Sequence, residues 1–180
     1  MTSPPPKQLA EAYRYCPQCG TANPSPGQSP LRCPACGFTV FFGPYTAVGA
    51  VLVNDGGEVL FVRRARDPGK GKWGLPGGFV DAYETAEDAL RREVTEETGL
   101  QIKHLEFLLT HPNRYCYQGV EAPVLDVFFA CKVAGDNRIT LDESELEHYR
   151  WQLPDPAMLA NLAFESNRQA VLHWMHHGAV

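Results

Sequence analysis

Four cysteines, arranged as C-x2-C, a thirteen-residue spacer and C-x2-C within CPQCGTANPSPGQSPLRCPACG (residues 16–37), restrict this chain more than any other feature. Each pair has Pro after its first Cys and Gly after its second. Such knuckles turn tightly, so both thiolates of a pair face one centre. Two knuckles then offer four sulfurs, a tetrahedral set that suits zinc. A reducing compartment disfavours disulfides as the alternative. The spacer is rich in Pro, Ser and Gly and cannot build a packed core without a staple of this kind. The expectation is a zinc ribbon over residues 13–43, with Cys16, Cys19, Cys33 and Cys36 as ligands. Four cysteines close the coordination shell, so this Zn2+ is structural and not catalytic. Cys116 and Cys131 stand apart in aromatic or apolar stretches and read as small buried hydrophobes. Residues 1–12, which begin MTSPPP, read as a disordered lead-in.

Beyond the ribbon, residues 44–180 are long enough for one medium domain. The chain is 44% hydrophobic and 21% charged, an ordinary balance for a protein with a core. It has no run of about 18 apolar residues, so no membrane span is expected. Its start lacks the basic and apolar regions of a secretory signal, and a cytoplasmic protein is the expectation. Net charge is −5, and the first forty residues carry +2, which leaves −7 on the remainder. An acidic body disfavours broad nucleic-acid backbone binding. It suits a site that recruits divalent cations, which then bridge to an anionic substrate.

The pattern of the larger part alternates between strand and helix. TAVGAVLVND and EVLFVRRA are apolar and β-branched, and they flank Asp55-Gly56-Gly57, so they read as a hairpin. RDPGKGKWGLPGG is loop. TAEDALRREVTEETG is a helix, with Thr85 and Asp88 as a capping box, Gly99 as its stop, and Ala86, Leu90 and Val94 as its apolar stripe. KHLEFLLT, VLDVFFACKV and EHYRWQLP read as strands, and ESNRQAVLHWMHH as a last helix. This order predicts an α/β (α+β) fold, an α/β/α sandwich around a mixed sheet.

Seven carboxylates lie between Gly77 and Leu100, and Glu93, Glu96 and Glu97 are spaced i, i+3 and i+4. On a helix these share one face, where like charges repel by a few tenths of a kcal/mol. A Mg2+ or Mn2+ site wants oxygen ligands gathered in this way. Spacing alone leaves two readings open, a metal site and a solvated helix face. The wider pattern is more specific. Gly78, five residues, Glu84, seven residues, Arg92-Glu93-Val94, one residue, Glu96-Glu97, one residue and Gly99-Leu100 resembles the Nudix box at every fixed position, and WGLPGG before it resembles the usual lead-in.

The resemblance covers roughly residues 44–180 and implies a Nudix hydrolase, which cleaves a nucleoside diphosphate linked to another moiety with water and Mg2+ or Mn2+. It implies that Glu96 and Glu97 are the main metal ligands and that Glu93 is a ligand or the base. Arg92 would orient the glutamates. Glu84 would be a further ligand or a brace, and Gly77 or Gly78 would offer a backbone carbonyl to the metal. Glu145, six residues before Trp151, stands where Nudix proteins often place another metal-side glutamate.

A zinc ribbon ahead of such a domain resembles the NADH pyrophosphatases and their relatives that act on NADH, FAD or ADP-ribose. That group carries Ser-Gln-Pro-Trp after the box, whereas Thr110-His111-Pro112-Asn113 here keeps only the proline. Candidate substrate contacts are Arg64, Arg114, Tyr115 and Tyr117. Tyr117 resembles a tyrosine of the dinucleoside polyphosphate hydrolases. Trp73 reads as a packing residue, and His173, His176 and His177 as a polar helix face. The expected partner is a small nucleotide, with neither membrane nor nucleic acid, and the resemblance adds a possible homodimer. The alternatives are an RNA-cap or dinucleoside polyphosphate hydrolase and a nucleotide sensor without activity. A sensor generally loses box carboxylates, and this chain keeps them all.

Overall fold

A computed structural model describes residues 5–134 and 138–178, so residues 1–4 of the lead-in and 179–180 at the end of the larger part lie outside the described residues. The chain divides into two compact units, one of Met1–Tyr45 with Arg114–Val124, the other of Thr46–Asn113 with Leu125–Val180.

The larger unit is a sheet covered on both faces. Strands β4 (Tyr45–Val53) and β5 (Val59–Arg64) pair antiparallel, joined by a turn that Asn54 organises. Its side-chain oxygen accepts from the amides of Gly56 (3.0 Å) and Glu58 (2.9 Å), which fixes the expected hairpin. β6 (Trp73–Gly74) lies inside the segment expected to be loop and pairs with β5. β9 (Leu146–Gln152) also pairs with β5. β7 (Gln101–Tyr117) pairs with β8 (Val120–Ala134), and β8 neighbours β4.

Residues alternate across this sheet, as strand geometry requires. Val48, Ala50, Leu52, Leu60, Val62, Phe129 and Cys131 face one core, which helix α2 (Ala86–Thr98) closes with Ala89, Leu90 and Val94. Val51, Val53, Val59, Phe61, Phe128 and Ala130 face the other. That core is closed by α3 (Pro156–Ala160) through Met158 and by α4 (Glu165–His177) through Ala170 and Val171. Strands buried on both faces read as continuous apolar runs, which is why GAVLV and VLFV show no alternation. Burial of a leucine such as Leu90, which is fully enclosed, contributes about 1.5–3 kcal/mol. The α/β/α sandwich is as expected, and the parallel pairing of β1 (Lys7–Gln8) with β8 makes the sheet mixed.

The smaller unit holds the cysteine ribbon. β2 (Leu31–Arg32) and β3 (Thr39–Val40) form its two-stranded sheet. The expected lead-in is partly structured. β1 lies against Val120–Glu121, and α1 (Leu9–Ala12) follows, with the Gln8 amide donating to Glu11 Oε2 at 2.8 Å. The partner strand is what orders a stretch whose own composition carries no strong signal. Residues 114–124 are the tip of the β7–β8 hairpin, turned by Gln118 (φ 48°) and Gly119 (φ 77°). Cys116 lies in this tip and is exposed, contrary to expectation, because the tip contributes no residue to either core. Cys131 is buried as expected, and burial pushes its thiol up to about 12.

Candidate active site

The carboxylates sit where α2 meets the glycine loop. Thr85 caps the helix, its Oγ1 accepting from the Asp88 amide at 3.1 Å, and it donates in turn to Asp88 Oδ2 at 2.8 Å. The cap therefore closes through the threonine hydroxyl. Gly99 ends the helix at φ 72°, its amide bonded to the Thr95 carbonyl. Leu90 and Val94 turn one face into the core, and this fixes the direction of Glu93 and Glu97.

Arg92 is the hub. Its guanidinium grips Glu84 with a fork, Nε to Oε1 at 3.0 Å and Nη2 to Oε2 at 2.9 Å. Nη1 reaches Glu93 Oε1 at 2.7 Å and Glu96 Oε2 at 3.4 Å, and Nη2 also donates to the Phe79 carbonyl at 3.1 Å. The fork holds the Glu84 carboxyl below the usual range. It holds the Arg92 guanidinium still more firmly protonated.

Glu97 is only 7% exposed and receives one hydrogen bond, from the Gly77 amide at 2.9 Å. Burial pushes its carboxyl up to about 8, and the neighbouring charges of Glu93 and Glu145 add to the rise, while Gly77 and Arg64 oppose it. Glu93 is also raised, chiefly by burial, against the pull of Arg92. Glu96 stays open to solvent. Gly77 adopts φ 144°, and a Cβ there would collide with the Val48 carbonyl. The Gly78 carbonyl accepts from the Val48 amide at 2.8 Å, and a Cβ on Gly78 would meet the Glu93 carboxylate. Among the described residues, nothing donates to the Gly77 carbonyl.

The other site candidates divide between the units. Glu145 and Arg64 stand close enough to Glu97 to move its proton affinity, Glu145 upward and Arg64 downward. Arg64 is fixed by a 2.7 Å bond to the Pro68 carbonyl and by its place 5.3 Å from the Phe164 ring centroid. Glu145 is paired with Arg66, a residue that no motif singles out. Arg114, Tyr115 and Tyr117 belong to the smaller unit, where Arg114 pairs with Glu121 at 3.4 Å. Trp73 is buried, as a packing residue should be.

Asp126 is a further buried carboxylate, outside the box. It is 6% exposed, accepts from Asn113 Nδ2 at 2.9 Å and is raised by burial. The Ser166 hydroxyl lies close enough to favour the charged form of Asp126, yet it meets no partner in full hydrogen-bond geometry. The signal for Asp126 is a carboxylate inside the otherwise apolar stretch VLDVFFAC.

In the smaller unit the four expected cysteines converge. Their sulfurs all lie within 4.8 Å of one another, with Cys16–Cys36 at 3.7 Å and Cys19–Cys33 at 3.6 Å. Tetrahedral Zn–S bonds of about 2.3 Å place sulfurs roughly 3.8 Å apart, so the cluster has the size a zinc needs. Each knuckle repeats one pattern: the Gly20 amide to the Cys16 carbonyl (2.9 Å), and the Gly37 amide to the Cys33 carbonyl (3.0 Å). Both glycines stand near φ 73°, where a side chain would be strained. Among the described residues this is the one group of three or more metal-ligand side chains gathered so tightly. Glu93, Glu96 and Glu97 share a helix end but stay further apart, held by Arg92 and Gly77 against mutual repulsion.

The family model of the NUDIX domain matches residues 43–175. The chain belongs to the Nudix family. An ADP-ribose pyrophosphatase from Methanocaldococcus jannaschii is 31% identical over 134 residues, which cover 73% of each chain. The NAD-capped RNA hydrolase NudC of Haemophilus influenzae is 29% identical, over 78% of this chain and 52% of its own length. This chain therefore spans about half of that relative. Among solved structures, the NUDIX domain of Shewanella oneidensis NrtR complexed with ADP ribose is 26% identical with a TM-score of 0.63, covering 77% of this chain and 91% of that one. A NUDIX hydrolase from Nitrosomonas europaea, 24% identical, shares the fold over 92% of this chain and 93% of its own, at a TM-score of 0.66. Membership makes this Nudix chain a hydrolase, as the box carboxylates implied. No helix among its described residues is long and apolar enough to cross a membrane.

Proposed function

We propose that this Nudix protein hydrolyses the diphosphate of ADP-ribose- or NAD-type dinucleotides, with Mg2+ or Mn2+ at the α2 carboxylates and a structural Zn2+ on Cys16, Cys19, Cys33 and Cys36. The observation that carries the reading is Glu97, a buried carboxylate beside Glu93 and Glu145 with one amide as its donor. Burial of an uncompensated charge is costly, and a cation is the partner such a group lacks. The donors are all oxygens, the set that hard divalent ions take. Glu93, Glu96, Glu97 and the Gly77 carbonyl would hold the ion, with Glu145 at its edge. The names of the archaeal and Haemophilus relatives support the substrate class.

A bound divalent ion supplies neutralisation of the diphosphate and polarisation of its oxygens. The chain's own groups do the rest. Arg92 keeps Glu93 and Glu96 aligned, and Glu84 keeps Arg92 in place. Water attacks one phosphorus, the bridging P–O bond breaks, and a carboxylate of the cluster takes the proton of the attacking water. Two monophosphates leave. Arg64, whose charge is felt at Glu97, would pair with a phosphate of the substrate.

The test is a panel of NADH, NAD, ADP-ribose, FAD, diadenosine polyphosphates and NAD-capped RNA, incubated with Mg2+ or Mn2+ and read by product mass. A mononucleotide product that disappears in Glu97→Gln supports the reading. Silence from folded, zinc-loaded protein on every substrate would overturn it.

A further inference from the structure

Tyr83, on the loop that enters α2, carries a ring that folding does not use. The ring is fully exposed, and its hydroxyl has no hydrogen bond among the described residues. Its backbone stands at φ 69°, a conformation that glycine adopts freely and that crowds the Cβ of any other residue. Among the described residues, only Gln118 shares this feature without being glycine. Gln118 is explained by its two-residue hairpin turn, which requires positive φ at both positions. Tyr83 has no comparable explanation, because neither backbone preference nor burial favours a tyrosine there.

The loop around it is firmly held. The Val80 amide bonds the Thr46 carbonyl (3.0 Å), the Asp81 amide bonds Glu84 Oε2 (3.1 Å), and the Glu84 amide bonds the Asp81 carbonyl (3.2 Å). Arg92 fastens the loop at the Phe79 carbonyl and at Glu84, and the same guanidinium touches Glu93 and Glu96. The tyrosine is thus displayed on a rigid rim, one residue from the group that braces the carboxylates. Its side chain has two rotatable angles, so ordering it against a ligand costs little entropy.

We propose that Tyr83 is a substrate-recognition residue whose ring stacks on a planar base of the dinucleotide while the diphosphate occupies the carboxylate cluster. The inference rests on the nucleotide reading above. An aromatic face accepts any base, because every base has a π-face to stack on it. Tyr83 therefore governs affinity for a base-bearing arm and leaves the phosphorus chemistry to α2.

The experiment compares wild type, Tyr83→Phe and Tyr83→Gly, each full-length and zinc-loaded. KM and kcat are measured on the best dinucleotide of the panel, and ADP-ribose affinity by calorimetry in a Glu97→Gln background. Tyr83→Gly is expected to raise KM and weaken binding about tenfold, a change of roughly 1.4 kcal/mol, with kcat near wild type and an equal or higher Tm. Tyr83→Phe is expected to bind like wild type. Wild-type KM and affinity in Tyr83→Gly would overturn the proposal. So would a loss in kcat accompanied by a fall in Tm, the signature of a merely structural loop residue. If wild type itself neither binds nor cleaves any nucleotide, the nucleotide reading fails first and takes this inference with it.

Discussion

A carboxylate resists burial, so the state of Glu97 depends on what compensates it. Its folded value is about 8, against 4.5 for an ordinary glutamate. Between those values the native chain holds a proton that the unfolded chain has lost. The contribution of Glu97 to stability therefore falls as pH rises from about 4.5 to about 8. In buffer free of added divalent ions, we expect Tm to decline across that window and Glu97→Gln to flatten the decline. Added Mg2+ should raise Tm more at pH 8 than at pH 5, and a thermal melt series reads all three effects. Glu97→Gln should also lower kcat by about 10²–10⁴-fold. Arg92→Lys keeps the charge but loses the fork on Glu84, because an ammonium cannot make two parallel bonds. Its activity should fall about tenfold or more while the fold survives, as circular dichroism and a rate assay would report. Gly77→Ala meets both a Gly-only conformation and the Val48 carbonyl. A loss of about 1–3 kcal/mol is expected from the backbone alone, checked by denaturant unfolding. The identities of these residues were legible from the box. The burial of Glu97 was not, because it depends on Gly77 and Glu145 arriving from distant segments.

At the level of elements, α2 was legible to its ends because both caps are local chemistry. Thr85→Ala should destabilise the larger unit by about 1 kcal/mol, measured by chemical denaturation, because it removes the acceptor of the Asp88 amide. The β7–β8 hairpin reads in the sequence as two short separate strands. Gln118-Gly119 lacks the Asn-Gly or Asp-Gly signature of such turns, and the tip residues carry no apolar alternation. α3 was missed although Asp155 caps it through the Met158 amide at 2.8 Å and Pro156 opens it. A five-residue helix leaves too short a periodicity to recognise. β6 escaped for the same reason, being two residues inside a Gly- and Pro-rich stretch.

For the whole molecule, the cysteine cluster makes a prediction separate from catalysis. The purified protein should contain about one zinc per chain, the content of a single site with four thiolate ligands. Stripping it should abolish hydrogen-exchange protection at the Gly20 and Gly37 amides, because without its ion the cluster loses the bonds that tie one knuckle to the other. The amides of β4 and β5 should stay protected, since their unit has its own two cores. Unchanged protection at the knuckles would show that they hold without metal. The sequence by itself determined the knuckles, the extent of α2, the position of every box carboxylate and the sandwich class, because each is set by local spacing, capping or apolar periodicity. Only the tertiary structure decided which carboxylate is buried, that Arg66 engages Glu145, that Cys116 is exposed and that Tyr83 stands bare on the rim. Those properties arise from groups far apart in the chain. Desolvation and charge act through space, and no periodicity along one segment records what another segment brings beside it.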